Sequence, residues 1–178
     1  QISAVLDILG YKAPELICYS YVLLDGDKMS TSAGTVVLVT DFMKAVRETL
    51  IKEFEERNSE ISEDKLNILV NACIKFTMLN VSKNKIVNFN LENATSFTGE
   101  SGMYILYSIV RINSILKNNN IKLTNEIKLN NDIEKKIVKE LSLFPEIIDS
   151  LLKSNEPAHL TKYIFNVAGL FSKLYEQV

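Results

Sequence analysis

Apolar residues recur every three or four positions over most of this chain, which is the spacing that lines one face of a helix. The pattern predicts one helix that Thr40 caps and that extends to about Arg57, and a second helix that Ser62 caps. The stretch 101–117 is apolar almost all round, so we expect it to be a central helix. Further helices are predicted over residues 2–9, 91–97, 131–141, 145–152 and 157–174.

Extended structure is predicted only near the start of the chain. Residues 16–24 are rich in β-branched and aromatic side chains and end at the turn formers Asp25 and Gly26, which predicts a strand. A shorter extended run covers residues 35–39, whereas residues 80–90 have no clear period and are interpreted as a polar connector. The chain is therefore predicted to be mainly α-helical, with one or two short strands.

Composition narrows the class of protein. The chain has 178 residues, 47% of them hydrophobic and 24% charged, which is typical of soluble globular domains and allows one sizeable core or two small ones. No apolar run approaches the ~20 residues that span a bilayer, so we expect a cytoplasmic protein without a membrane partner. The two cysteines, Cys18 and Cys73, are too far apart to predict a metal site. Because the net charge is −2, any contact with nucleic acid must come from a local basic patch.

A short lysine-bearing loop follows the predicted strand and turn. Residues 28–37 are Lys-Met-Ser-Thr-Ser-Ala-Gly-Thr-Val-Val, and a lysine is a compact cation that can reach a transferring phosphate. Ser30, Thr31 and the backbone amides near Gly34 can donate to the same oxygens, where charge develops during nucleotidyl transfer. From the residues alone, a solvated turn is the simpler interpretation of this loop.

The full string of residues 28–37 resembles the lysine signature of class I aminoacyl-tRNA synthetases, in the form seen in arginyl-tRNA synthetases. The resemblance implies that Lys28 is catalytic and stabilises the α-phosphate transition state of adenylate formation. It also implies that Met29 and Ser30 belong to the ATP site, with Met29 anchoring the loop and Ser30 assisting at the phosphates. The implied substrate is ATP accompanied by Mg²⁺. Ser32 stands where the family usually has a basic residue.

Two later stretches resemble the same family. Residues 96–111 carry two glycines and two tyrosines before an arginine, as in the junction between the catalytic and anticodon-binding domains, and Gly99 and Gly102 allow a tight connection there. Residues 157–175 resemble a helix of the anticodon-binding bundle. RNA outside duplexes is recognised by stacking on aromatic rings and by nearby cations, with core packing as the alternative for the aromatics. The implied tRNA-binding residues are Tyr104, Tyr107, Arg111, Lys162, Tyr163, Lys173 and Tyr175.

The resemblance covers nearly the whole chain and implies its organisation. Residues 1–99 would form the end of a Rossmann-type catalytic domain, and residues 100–178 an incomplete helical-bundle anticodon-binding domain. The implied protein is a monomeric, ATP-dependent arginine–tRNA ligase whose partners are arginine tRNA, arginine and ATP. Because Gln1 already lies in a helical pattern, we expect the chain to be a fragment. By the resemblance, arginine binding and half of the ATP site would lie before Gln1, so we expect the chain not to aminoacylate by itself.

Two other functions stay open at this point. The departures at Ser32, Met103 and Leu106, where the family usually has a basic residue, a proline and a glutamine, favour a catalytically inactive, synthetase-like tRNA-binding or regulatory protein. The slight negative charge favours a helical protein-interaction module without an RNA role.

Overall fold

A computed structural model describes residues 2–15, 17–28, 38–118 and 128–177. Within these ranges the protein is mainly α-helical, as predicted, with three short strands. The elements are α1 (Ile2–Ile8), β1 (Val22–Leu24), β2 (Asp27–Lys28), α2 (Val39–Glu56), α3 (Glu63–Leu79), β3 (Val87–Phe89), α4 (Leu91–Thr95), α5 (Gly102–Asn118), α6 (Asp132–Ser142), α7 (Phe144–Ser154) and α8 (Ala158–Tyr175).

The three strands form a small mixed sheet in the order β2-β1-β3, with β1 antiparallel to β2 and parallel to β3. The turn between β1 and β2 consists of Asp25 and Gly26, with φ angles of 48° and 90°, as in a two-residue hairpin with both residues in the left-handed region. The turn prediction is therefore confirmed. The strand predicted over residues 16–24 was too long, because among the described residues 17–24 only the last three belong to β1. Strand β3 was missed, since three residues cannot show an alternating pattern.

The main core lies between α2, α3, β3, α4 and the start of α5. Phe89 of β3 is fully buried, and its ring meets that of Phe42 edge-on at a centroid distance of 4.8 Å. Burial raises the pKa of the Cys73 thiol to about 12, so this cysteine is an inert core residue. The buried members of the core are Phe42, Val46, Leu50, Leu66, Val70, Cys73, Phe89, Ala94 and Met103.

Helix α5 begins in direct contact with the backbone of α3. A Cβ atom on Gly102 would lie 2.3 Å from the carbonyl oxygen of Ala72, so only glycine fits at this approach. Just before it, Gly99 has φ +76°, which glycine adopts without strain. Ser101 is fully buried; its hydroxyl donates to the carbonyl of Ser96 and accepts from the Tyr104 amide at 3.1 Å. The tight connection predicted at the two glycines is confirmed.

Helices α6, α7 and α8 form a second, more open layer that contacts the core through α5 and α3. Asn131 caps α6, accepting from the Glu134 amide at 2.8 Å while the Glu134 carboxylate reaches back to the amide of Asn131. Neither α6 nor α7 contains a buried residue, and the buried side chains of this layer come from α8.

A polar junction holds the turn between α7 and α8 against the connector that follows α3. The Glu156 carboxylate accepts from the Ser82 hydroxyl at 2.9 Å and from the Lys83 amide at 3.1 Å, while the Lys83 ammonium donates to the carbonyl of Ser154. Burial works to raise the pKa of Glu156, but these hydrogen bonds and the positive charges of Lys83 and His159 outweigh it and lower that pKa.

Two helix predictions need correction. Thr40 does not cap α2, which begins at Val39; instead the Asp41 carboxylate accepts from the Leu38 amide at 3.2 Å. Helix α5 is not central along its whole length, because Val110 and Leu116 are more than half exposed. No helix in the described part of the chain combines the length and the apolar character that a membrane crossing needs.

Candidate nucleic-acid interface

An arginine held between two tyrosine rings marks the surface shared by α5 and α8. Tyr107 and Arg111 lie one turn apart on α5, and Tyr175 lies in the last turn of α8. The guanidinium carbon of Arg111 is 4.5 Å from the centroid of the Tyr107 ring and 4.4 Å from that of Tyr175. These distances fall well within the range of cation–π attraction. We call these three residues the arginine–tyrosine cluster.

The cluster is both ordered and accessible. Tyr107 is 44% exposed and Tyr175 is 41% exposed, so both rings form part of the surface while they flank the cation. A guanidinium held in this way loses little further freedom when its N–H groups donate to a phosphate or a base edge. The exposed ring surfaces can stack on unpaired bases. The geometry therefore suits a single-stranded or looped nucleic acid.

Tyr104 aligns the two helices that carry the cluster. It is partly buried, its hydroxyl lies 3.0 Å from the Ser172 hydroxyl, and its ring lies 5.4 Å from that of Phe165. Ser172 was missed in the sequence, although it precedes Tyr175 by three positions and so shares its side of α8. The contacts of Tyr104 match the core-packing alternative more closely than a role on the surface.

Tyr163 is a core residue. Only 8% of it is exposed, and its ring lies 5.7 Å from that of Phe144. Burial, together with the negative charge of Glu140, raises the pKa of its hydroxyl. A ring enclosed in this way has no free face for a base, so Tyr163, which the sequence suggested as a tRNA contact, is left out of the proposed interface.

Lys162 and Lys173 are exposed on α8, but they do not join the arginine–tyrosine cluster. They are eleven positions apart, which at about 100° per residue places them on the same side of the helix. Tyr175 follows Lys173 by two positions, so the two side chains point about 160° apart around the helix axis. The residues suggested by the sequence therefore divide into a cluster on one side of α8 and a lysine pair on the other.

The predicted ATP site falls largely outside the described residues. The backbone of Lys28 lies in β2, where it pairs with Leu23. Met29 and Ser30 lie outside the described residues, so their roles stay predictions. In the ranges that the structure covers, no group of three or more histidine, cysteine or acidic side chains could hold a metal ion.

Sequence comparison gives the cluster its context. Residues 105–178, which contain the arginine–tyrosine cluster, match the DALR anticodon binding domain. The whole chain aligns with arginine–tRNA ligase 1 of Bacillus cereus, with 33% sequence identity over an alignment of 184 residues. The alignment covers 33% of the length of that protein. It is also 32% identical to the arginine–tRNA ligase of Sulfolobus acidocaldarius, with 98% of this chain and 29% of that protein covered.

Along its whole length the chain is similar to arginyl-tRNA synthetases. It spans about a third of the length of the curated relatives that it matches. The fold is also similar to that of solved arginyl-tRNA synthetases. The Thermus thermophilus enzyme superposes on 96% of this chain with a TM-score of 0.82 and 23% sequence identity. The superposition covers 29% of the Thermus thermophilus chain. The Plasmodium falciparum arginyl-tRNA synthetase covers 89% of this chain with a TM-score of 0.70 at 22% identity, over 28% of its own length. The chain thus corresponds to a C-terminal segment of such an enzyme.

Proposed function

We propose that this chain is the part of an arginine–tRNA ligase that binds the anticodon arm of arginine tRNA and supplies a lysine to the ATP site. The observation that carries the proposal is the arginine–tyrosine cluster within the anticodon-binding match. It offers one fixed cation and two partly exposed rings, the combination with which proteins bind unpaired nucleotides. Lys162 and Lys173, on the far side of α8, add long-range attraction for the phosphates.

The catalytic part of the proposal rests on residues 1–99. Lys28 would meet the α-phosphate of ATP while the arginyl-adenylate forms, with Met29 and Ser30 beside it. Mg²⁺ would enter with the nucleotide. The boundary between the two functional parts lies near Gly99, where the chain turns into α5. Aminoacylation would need the arginine pocket and the rest of the nucleotide site, which we place elsewhere in the full enzyme.

Binding to arginine tRNA at several salt concentrations tests the RNA-binding part. We expect affinity to fall as salt rises, because lysine and arginine contacts to phosphates displace bound counterions. Arg111→Ala should weaken binding about tenfold, which corresponds to about 1.4 kcal/mol, and should lower the salt slope by about one. Arg111→Lys keeps the charge but not the planar group between the rings, so it should recover only part of the loss.

A variant that removes one exposed positive charge elsewhere in the protein serves as the matched control. Lys44 is exposed on α2, away from the α5–α8 surface. It forms an ion pair with Glu48 of the same helix at 4.0 Å. We expect Lys44→Ala to bind arginine tRNA as the unmodified protein does. Binding that is absent, or that does not change with salt, would contradict the proposal and favour a protein-interaction module.

The structure weakens one reason for an inactive, synthetase-like protein. Met103, which stands where the family usually has proline, is 2% exposed and belongs to the main core. Leu106 is partly buried in α5, so this departure also has a role in packing. Ser32 lies outside the described residues. We therefore keep the ligase as the proposed function, and salt-dependent tRNA binding without aminoacylation by the full protein would favour the inactive alternative.

A further inference from the structure

The β1–β2 turn is fastened by three hydrogen bonds to strand β3 and to Asn90, the residue that follows it. The Gly26 amide donates to the Asn88 side-chain oxygen at 2.8 Å, and the Asn90 side-chain nitrogen donates to the Asp25 carboxylate at 2.7 Å. The Asp25 amide donates to the Phe89 carbonyl at 3.0 Å. The side chains of Asn88 and Asn90 therefore hold the turn that leads directly into Lys28.

This turn has a conformation that needs such support. Asp25 has φ +48°, in the left-handed region that residues other than glycine seldom adopt. Aspartate adopts it more readily than most residues, but the conformation still costs some free energy, which the surrounding hydrogen bonds can offset. The hairpin beyond it is short: β1 and β2 pair only through Leu23 with Lys28 and Leu24 with Asp27. A two-pair hairpin is too short to hold its own geometry, so the bonds from β3 determine where β2 lies.

The same strand also anchors the helix on the other side of the lysine signature. Phe89 is fully buried and its ring contacts that of Phe42 on α2 edge-on at 4.8 Å. Residues 29–37 are flanked in the sequence by β2 and α2. Contacts with β3 therefore hold both of these elements in position. Asn90 extends this link, because its side-chain oxygen also accepts from the Asn93 amide at 2.8 Å and caps α4.

We propose that Asn90, assisted by Asn88, is a positioning residue for adenylate formation: it fixes the Asp25–Gly26 turn and thereby the backbone of β2 that carries Lys28. The inference rests on the proposed role of Lys28 at ATP. A lysine that acts on the transition state is sensitive to small displacements, because a shift of about 1 Å can cost up to about a hundredfold in rate. Asn90 acts through the turn and needs no contact with ATP.

Exchanging the side chains of Asp25 and Asn90 tests the hydrogen bond between them. The variants are made in the full-length protein that contains the chain. Asn90→Asp keeps an oxygen to cap α4, since aspartate caps as well as asparagine, but it places a second carboxylate against Asp25. Asp25→Asn alone keeps an acceptor for Asn90, and asparagine tolerates positive φ. The double variant Asp25→Asn, Asn90→Asp restores a donor and an acceptor in reversed order.

The measurement is ATP–pyrophosphate exchange with arginine and arginine tRNA present, alongside tRNA affinity and thermal unfolding. We expect Asn90→Asp to lower kcat about tenfold with little change in the KM for ATP or in tRNA affinity, because the lost effect belongs to the transition state. Asp25→Asn and the double variant should stay within about threefold of the unmodified enzyme. Asn88→Asp, which keeps the acceptor for the Gly26 amide, should behave in the same way.

The possible outcomes separate the positioning role of Asn90 from the ligase proposal. An unchanged kcat in Asn90→Asp, or a double variant as impaired as Asn90→Asp alone, would overturn the positioning role while leaving the ligase proposal intact. A loss of tRNA affinity equal to the loss of kcat would also overturn it, since the effect would then be general. If the unmodified full-length protein shows no exchange, the proposed function fails and the positioning role fails with it. If Asn90→Asp unfolds, recovery in the double variant still supports the bond, and no recovery refutes it.

Discussion

The two regions of this molecule bury their side chains to very different degrees. Between β1 and the start of α5, the side chains of Val46, Leu50, Cys73 and Phe89 are wholly inaccessible to solvent. Helices α6 and α7 contain no buried residue, and Leu152 of α7 is 68% exposed. The first region is thus a closed core around a small sheet, and the second is an open layer of amphipathic helices.

Under the proposed function, the two regions carry different tasks. The closed core holds elements next to residues 28–37, to which the proposal assigns the lysine loop of the ATP site and where small displacements would matter most for chemistry. The open layer shares with α5 the surface on which Arg111 lies between two accessible rings. Helix α5 belongs to both regions, because Met103 enters the core while Tyr104 contacts α8. Substitutions should therefore separate the two regions by their effects on folding and on RNA binding.

The largest expected effect comes from a matched pair of leucines. Leu50→Ala empties part of the closed core and should lower the free energy of unfolding by about 3 to 4 kcal/mol. Leu152→Ala, on exposed α7, should change it by less than about 0.5 kcal/mol. Urea unfolding measures both, and similar losses in the two variants would show that the contrast between the regions is wrong.

A second pair uses glycines. Gly102→Ala would force a methyl group into the α3 backbone and should cost about 2 to 3 kcal/mol. Gly169 lies in α8, and a Cβ atom added there would meet no neighbouring group within 4 Å, so Gly169→Ala should be neutral or should stabilise the protein by up to about 1 kcal/mol. Thermal unfolding compares them, and a Gly102→Ala protein as stable as the original would refute the close contact between α3 and α5.

The bond between Tyr104 and Ser172 should have a smaller effect. Tyr104→Phe removes a partly buried hydroxyl bond between α5 and α8 and should cost about 1 kcal/mol of stability. Because Tyr104 aligns the helices that carry the arginine–tyrosine cluster, we also expect tRNA affinity to fall by a few fold. A double-mutant cycle with Ser172→Ala measures the coupling between the hydroxyls, and additive effects would show that they do not interact.

The smallest effect concerns pH and the junction at Glu156. Its carboxylate has a lowered pKa in the folded protein, so it stabilises the fold above its ordinary pKa of 4.5. This contribution is lost as the pH falls from 4.5 through the lower, folded value. Glu156→Gln should therefore flatten the loss of stability below about pH 4.5, measured by thermal unfolding at several pH values. Ser82→Ala removes one donor and should flatten it partly, whereas unchanged profiles in both variants would contradict the junction.

The sequence predicted the helices better than it predicted the site. The four-residue repeat from Phe42 to Phe54 identified α2 because a long helix repeats its signal, and the Asp25–Gly26 turn was found because few residues adopt positive φ. Strand β3 was too short to show a period. The link between Tyr104 and Ser172 and the enclosure of Tyr163 could not be predicted, because both depend on how α5, α7 and α8 meet.

Lysines and tyrosines of α8 were grouped in the sequence because they share a segment. The helix separates them, since Lys173 and Tyr175 point in nearly opposite directions, about 160° apart. Arg111 and Tyr175 are distant in sequence, yet they meet at 4.4 Å. Membership of a helix can be predicted from local spacing, whereas the side of a helix that faces a partner depends on tertiary contacts.

Site-specific crosslinking to arginine tRNA tests the central claim most directly. A photoreactive phenylalanine derivative would replace Tyr107 or Tyr175 in turn, with buried Tyr163 as the matched control, and the crosslinked nucleotides would be mapped. We predict crosslinks to the anticodon arm from Tyr107 and Tyr175 and none from Tyr163. Crosslinks to the acceptor arm, or none from either exposed position, would contradict the assignment of the α5–α8 surface to the anticodon arm.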